Sequence, residues 1–116
     1  MIRQNDVTVL VHLRLLPDFI EQGKRDLLNF ARVVRKKEPA CFAIEVAQDV
    51  DDPTKIMMIE KWSDAEQYQG AHLQTQHMKS FIAQSSKYFE GAAKVSFYQG
   101  TVIGQGDLGQ TPPYGR

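Results

Sequence analysis

Between Val7 and Leu15 every second residue is a valine or leucine, and beyond Pro17 the apolar spacing lengthens to three or four. That change of period limits the fold more than any other feature, because period two belongs to a strand and the longer spacing to a helix. Val7, Val9, Val11, Leu13 and Leu15 share one strand face, and Thr8, Leu10, His12 and Arg14 share the other. Pro17 closes the strand, and Asp18 is placed to cap the following helix. Phe19, Gly23, Leu27, Phe30 or Ala31, and Val34 then form an apolar stripe up to about Lys37. Arg35, Lys36 and Lys37 suit the negative end of that helix, and Pro39 marks its exit.

The rest of the chain repeats the two periods. Cys41 to Asp49 predicts a second strand, with Phe42, Ile44 and Val46 on one face and Ala43, Glu45 and Ala47 on the other. The Asp-rich stretch from Asp49 to Pro53 predicts a tight turn, and Lys55 to Trp62 a third strand, so the two pair as a hairpin. Asp64 to Gly70 predicts one short helical turn. A second amphipathic helix is expected from His72 to Tyr88, with Leu73, His77, Met78, Phe81, Ile82 and Ser85 facing inward. Ala93 to Ile103 predicts a fourth strand bent at Gly100. Residues 1–103 therefore read as one domain, and 104–116, rich in Gly and Pro, as a mobile or docked arm.

The order β-α-β-β-α-β is the split βαβ, ferredoxin-like arrangement: an α+β fold with a four-stranded antiparallel sheet and both helices on one face. Several strands are apolar on both faces: Leu10 lies beside Val9 and Val11, and Met57 and Ile59 beside Ile56 and Met58. Two helices cover only one face, so the expectation is a homodimer whose sheets pack together.

Composition excludes several classes. The 116 residues suit one core, and 14 basic against 14 acidic residues give no charge excess for nucleic acid. No apolar run approaches the ~20 residues of a membrane span, and Met1 to Asp6 is no signal peptide. The single cysteine, Cys41, cannot close an internal disulfide, which fits a reducing cytoplasm; it reads as buried and inert.

Candidate chemistry gathers after the third strand. Glu60-Lys61-Trp62 is followed by His72-Leu73-Gln74-Thr75-Gln76-His77 and then Phe81. His72 is the candidate base, because imidazole exchanges protons near neutrality; the bland alternative is a helix-capping or interhelical hydrogen-bonding histidine. Trp62 and His77 each read as pocket wall or as core. Glu60 reads as a pocket carboxylate or an ion-pair partner of Arg14. His12 and Arg14 face the side of a second subunit, and Tyr68 and Tyr98 are candidate hydrogen-bond donors to a quinone oxygen. A metal is not expected. His72 and His77 are five residues apart, which on a regular helix turns them ~140° from each other, and no cysteine joins them.

Taken together, V-T-V-L-V-H-L-R-L-L-P (7–17), E-P-A-C (38–41), D-V-D-D-P (49–53), E-K-W (60–62) and H-L-Q-T-Q-H (72–77) resemble the antibiotic biosynthesis monooxygenase family of dimeric α+β barrels. Two departures, Asp18 after Pro17 and Ala40 in E-P-A-C, stand where the family usually has glycine. The resemblance implies oxygenation of a small quinol, phenol or anthrone-like substrate by O2, with no cofactor. His72, Trp62 and His77 would then be the catalytic residues, and His12, Arg14, Glu60, Tyr68, Phe81 and Tyr98 would line the substrate site. Two other readings stay open. One is a haem-degrading relative; the other is an isomerase or binding protein for small carbonyl metabolites, which the same pocket and base would serve.

Overall fold

The computed structural model describes residues 6–101 and 103. Four strands, β1 (Val7–Arg14), β2 (Cys41–Gln48), β3 (Lys55–Trp62) and β4 (Lys94–Tyr98), form one sheet in the order β2-β3-β1-β4. All three pairings are antiparallel. Helices α1 (Ile20–Lys37) and α2 (Gln76–Ser85) complete the ferredoxin-like α+β fold. The core is built from Val9, Val11 and Leu15, from Ile56, Met58 and Trp62, and from the α1 residues Leu27, Ala31 and Val34. The stripe expected on the first helix is the one buried.

Register settles which residues share a face. Val9 stands opposite Glu60 and Phe97, and Val11 opposite Met58 and Val95, so these form the helix-covered face. Leu10 stands opposite Ile59 and Ser96, and Thr8 opposite Lys61 and Tyr98, on the other face. There Leu10, Met57 and Ile59 are half-buried and Tyr98 is exposed.

One irregularity breaks the alternation. Cys41 pairs with Trp62 and Ala43 with Lys61, so Phe42 is an extra residue in β2, a bulge. Simple alternation from Ala43 would turn Cys41 outward; the bulge seats it in the core beside Trp62, fully buried. Burial and the nearby Glu60 push its thiol up to about 12, so it is an unreactive thiol.

Several expected boundaries shift. Asp18 lies in a 3-10 turn, Pro17–Phe19, and makes no side-chain cap; α1 starts behind Phe19. The fourth strand ends at Tyr98 rather than running to Ile103. The short turn expected over Asp64–Gly70 is a π turn over Gln67–Ala71, and the second helix expected from His72 to Tyr88 divides into a 3-10 turn over His72–Gln74 and α2, Gln76–Ser85. The expected arm at 104–116 lies outside the described residues, and with it the boundary drawn at 103.

Candidate active site

The divided helix creates the site. Asp64 Oδ1 accepts the N–H of Gln67 and starts the turn, and the His72 N–H reaches back to the Gln67 carbonyl, the wide i to i+5 bond of a π turn. Thr75 then breaks the helix. Its backbone is extended, its hydroxyl donates to the His72 carbonyl (2.8 Å), and its oxygen accepts the Met78 N–H (3.2 Å), which caps α2. His72 and His77 therefore sit on different elements, and the ~140° separation of a continuous helix no longer applies.

Both rings turn toward Glu38. His72 Nδ1 lies 2.8 Å and His77 Nε2 2.6 Å from the same oxygen, Glu38 Oε2. Glu38 is the C-cap of α1, its N–H bonded to the Val34 carbonyl, and it is buried. A negative charge there opposes the helix dipole, and the two imidazole N–H groups offset that cost. Phe30 packs against both rings and stacks on Phe81 at 4.3 Å between centroids.

A second carboxyl stands across the site. Glu60 is 4% exposed, and its Oε1 accepts the Trp62 indole N–H at 2.8 Å, since residues two apart on a strand share a face. Burial, helped by the like charge of Glu38 and opposed by the Trp62 hydrogen bond, pushes its pKa up to about 7. Trp62 and Tyr68 flank His72, with ring centroids 4.8 and 5.0 Å away. Burial holds the Tyr68 hydroxyl well above its usual pKa, so it stays an O–H donor. For His72, burial outweighs the attraction of Glu38 and lowers the pKa below 6.5, which leaves a neutral imidazole at neutral pH.

These groups meet a cavity of about 540 Å³ between α2 and the sheet, within the usual size range of small-molecule sites. Phe30, Phe81, Phe89 and Phe97 form aromatic walls, and His72, Glu60 and Tyr68 are among the few polar groups on them. Leu73, Ile82 and Val95 line the same cavity yet are 36%, 54% and 41% exposed, so its mouth is apolar. Glu38 does not line it. With Nδ1 turned back to Glu38, the Nε2 of His72 is its free nitrogen, without a hydrogen-bond partner among the described residues. A larger hollow of about 590 Å³ lies around His12, Arg14 and Lys55. It holds neither His72 nor either buried carboxyl, so the chemistry belongs to the smaller one.

Of the residues singled out in the sequence, His72, Glu60, Tyr68 and Phe81 line the cavity. Trp62 and His77 stand one layer behind, holding Glu60 and Glu38 respectively. His12, Arg14 and Tyr98 do not reach it, because strand parity turns them to the opposite face. Of the two readings of Glu60, the pocket carboxylate holds and the ion pair with Arg14 does not: Arg14 pairs with Asp52 (3.3 Å), on the hairpin turn beside β1. The residue missed as a site residue was Glu38. Besides opening the E-P-A-C landmark, it is an acid directly after Arg35-Lys36-Lys37 at a helix end, where a negative charge needs a partner.

The profile of the antibiotic biosynthesis monooxygenase family matches residues 6–84, well over half of the chain. The chain belongs to that family. Solved structures with the same fold include two proteins provisionally named antibiotic biosynthesis monooxygenases. The one from Nitrosomonas europaea has 19% identity, covers 86% of this chain and 94% of its own, and gives a TM-score of 0.76. The one from Caulobacter crescentus CB15 has 17% identity, coverage of 85% and 92%, and a TM-score of 0.77. PA3566 from Pseudomonas aeruginosa has 20% identity, coverage of 88% and 100%, and a TM-score of 0.75. At such identity the likeness is one of fold. No curated protein matches. In this antibiotic biosynthesis monooxygenase family chain, the matched segment contains Glu38, Glu60, Trp62, His72 and His77. No helix among the described residues is long and apolar enough to cross a membrane.

Proposed function

We propose that this chain is a cofactor-independent monooxygenase that oxidises a small electron-rich phenol, quinol or anthrone-like ring with O2. The observation that carries this reading is the 2.8 Å contact between His72 Nδ1 and the Glu38 carboxylate. A neutral imidazole that donates from Nδ1 to Glu38 must accept at Nε2, and His72 lines an aromatic-walled cavity. That is a general base held in one orientation beside a pocket shaped for a flat apolar molecule.

In this reading His72 Nε2 takes the hydroxyl proton, and the resulting phenolate gives an electron to O2. Phe30, Phe81 and Phe97 exclude water, and the Tyr68 hydroxyl donates to the developing oxyanion. When a phenol becomes a quinone, one oxygen of O2 becomes the new ring carbonyl. The other leaves as water, with the hydrogens given up by the ring carbon and the hydroxyl. All four electrons come from the ring, so no external reductant is required. Glu60, poised near neutrality, is the second proton-exchanging group.

The apolar outer face of the sheet supports a homodimer, with Leu10, Met57 and Ile59 under the partner's sheet. An oxygen electrode tests the activity, with an anthrone, hydroquinone and substituted phenols as substrates. The expected result is substrate-dependent uptake, strongly slowed in His72→Ala, with one labelled oxygen from O2 in the product. No uptake across the panel overturns the reading, and a Soret band on adding haem would favour the haem-degrading alternative.

A further inference from the structure

We propose that Glu38, His72 and His77 form a three-donor site for a first-row divalent metal ion, zinc-like in preference, on the side of His72 away from the cavity. One ligand atom from each residue lies within 4.8 Å of the others. Two of the three donor pairs are already at 2.8 and 2.6 Å. Donors around a four-coordinate ion at ~2.0–2.1 Å are separated by roughly 3.3 Å. The carboxylate contacts therefore have to open by some tenths of an ångström, and the two histidine nitrogens, up to 4.8 Å apart, have to close by up to about 1.5 Å, changes within reach of side-chain rotation.

The donor chemistry also fits. Two imidazoles and one carboxylate suit zinc and its neighbours and not magnesium or calcium, which take oxygen ligands. Buried carboxylates are normally paired with a cation or bound to a metal. Among the described residues, Glu38 has no lysine or arginine partner; the Arg35 guanidinium donates instead to the Cys41 carbonyl. Three supports hold the donors in place. Pro39 follows Glu38 at the helix exit, Thr75 separates the two histidines, and Phe30 packs on both rings. Three protein ligands leave a fourth position for water.

The metal would also act on His72. An imidazole that ligates through Nδ1 carries its proton on Nε2, so the nitrogen facing the cavity becomes a donor. No proton is released: each ring moves its proton to its other nitrogen. The metal-free chain is the form in which His72 is a base, and in the loaded chain His72 no longer is. This consequence rests on the proposed base role of His72, whereas the binding itself does not.

The test is titration of the metal-free full chain with Co2+, followed by its visible d–d bands, and with Zn2+ by calorimetry. One saturable site per chain is expected, with Zn2+ displacing Co2+ and with no heat from Mg2+ or Ca2+. His77→Ala and Glu38→Gln should lose the bands, while His12→Ala, with its histidine on the opposite sheet face, keeps them. Absence of a saturable cobalt spectrum overturns the proposal, as does a spectrum unchanged in His77→Ala. Circular dichroism separates lost binding from lost fold, and His77→Gln serves if His77→Ala unfolds. Because the bands are read without substrate, a chain that binds cobalt but is inactive when metal-free refutes only the oxygenase reading. An active protein that binds none refutes only the site.

Discussion

The Nδ1 of His72 meets Glu38 Oε2 at 2.8 Å across thirty-four residues of chain, and the same oxygen is shared with His77. A carboxylate that holds one nitrogen of an imidazole fixes its tautomer and its ring plane. The base proposed here is therefore a property of the end of α1 as much as of the segment that carries His72.

The first prediction follows from that division of labour. His72→Ala should lower kcat by roughly 10²–10⁴-fold, the usual contribution of a positioned base, with secondary structure unchanged. Glu38→Gln leaves a neutral amide oxygen where both imidazoles shared a carboxylate oxygen, so His72 is held more weakly but is still present. This substitution should lower kcat less, and exogenous imidazole should rescue His72→Ala but not Glu38→Gln. Steady-state oxygen uptake with and without imidazole distinguishes the two.

Thr75 carries the second prediction. Its side chain both caps α2 and holds the His72 carbonyl. Thr75→Ala should cost about 1 kcal/mol as a lost N-cap, seen as a melting temperature lower by roughly 4–8 °C. Thr75→Ser should restore it. The rate should fall in Thr75→Ala as well, because the turn that aims His72 loses its anchor.

The strands and α1 were legible because alternation and the stripe from Gly23 to Val34 are local patterns. The break at Thr75 was not, since Leu73, His77, Met78 and Phe81 keep helical spacing straight through it. Parity sorted each strand into two faces but left the cavity's face unassigned. His12, Arg14 and Tyr98 were therefore grouped with Glu60, although register sets them on the far side. The bulge at Phe42 is likewise invisible without a partner strand. Glu38 escaped because its partners are thirty-four and thirty-nine residues away. The landmark E-P-A-C marked the place, but only packing reveals what that carboxylate holds.

The open sheet face gives the third prediction. Leu10 and Ile59 are directly opposed at the centre of that face, half-buried within one chain. The full chain should sediment as a dimer at micromolar concentration. Ile59→Lys should convert it to a monomer by placing an unpaired charge between the sheets, whereas Val50→Lys, on the exposed hairpin turn, should not. A wild-type chain that sediments as a monomer would refute the homodimer.

Glu60 gives the last. Its pKa is about 7 in the fold against an ordinary 4.5, so between these values the folded chain binds more protons than the unfolded one. Stability must therefore fall as pH rises from about 4.5 to 7, by about 3 kcal/mol in all, and stay low above that. His72 acts in the opposite sense at the acid end, because its lowered pKa means that protonation below 6.5 favours unfolding. Glu60→Gln removes the first effect while its amide oxygen still accepts the Trp62 N–H. The variant should melt higher than the parent at pH 8, and with Glu60 gone its stability should climb from pH 5 to 7 instead of declining. Trp62→Phe tests the same hydrogen bond from the donor side: without the indole N–H, which holds the Glu60 pKa down, the carboxyl should titrate above 7. Carboxyl carbon resonances followed by NMR through the titration read that shift directly, and an unmoved midpoint would sever Trp62 from the proton chemistry of the cavity.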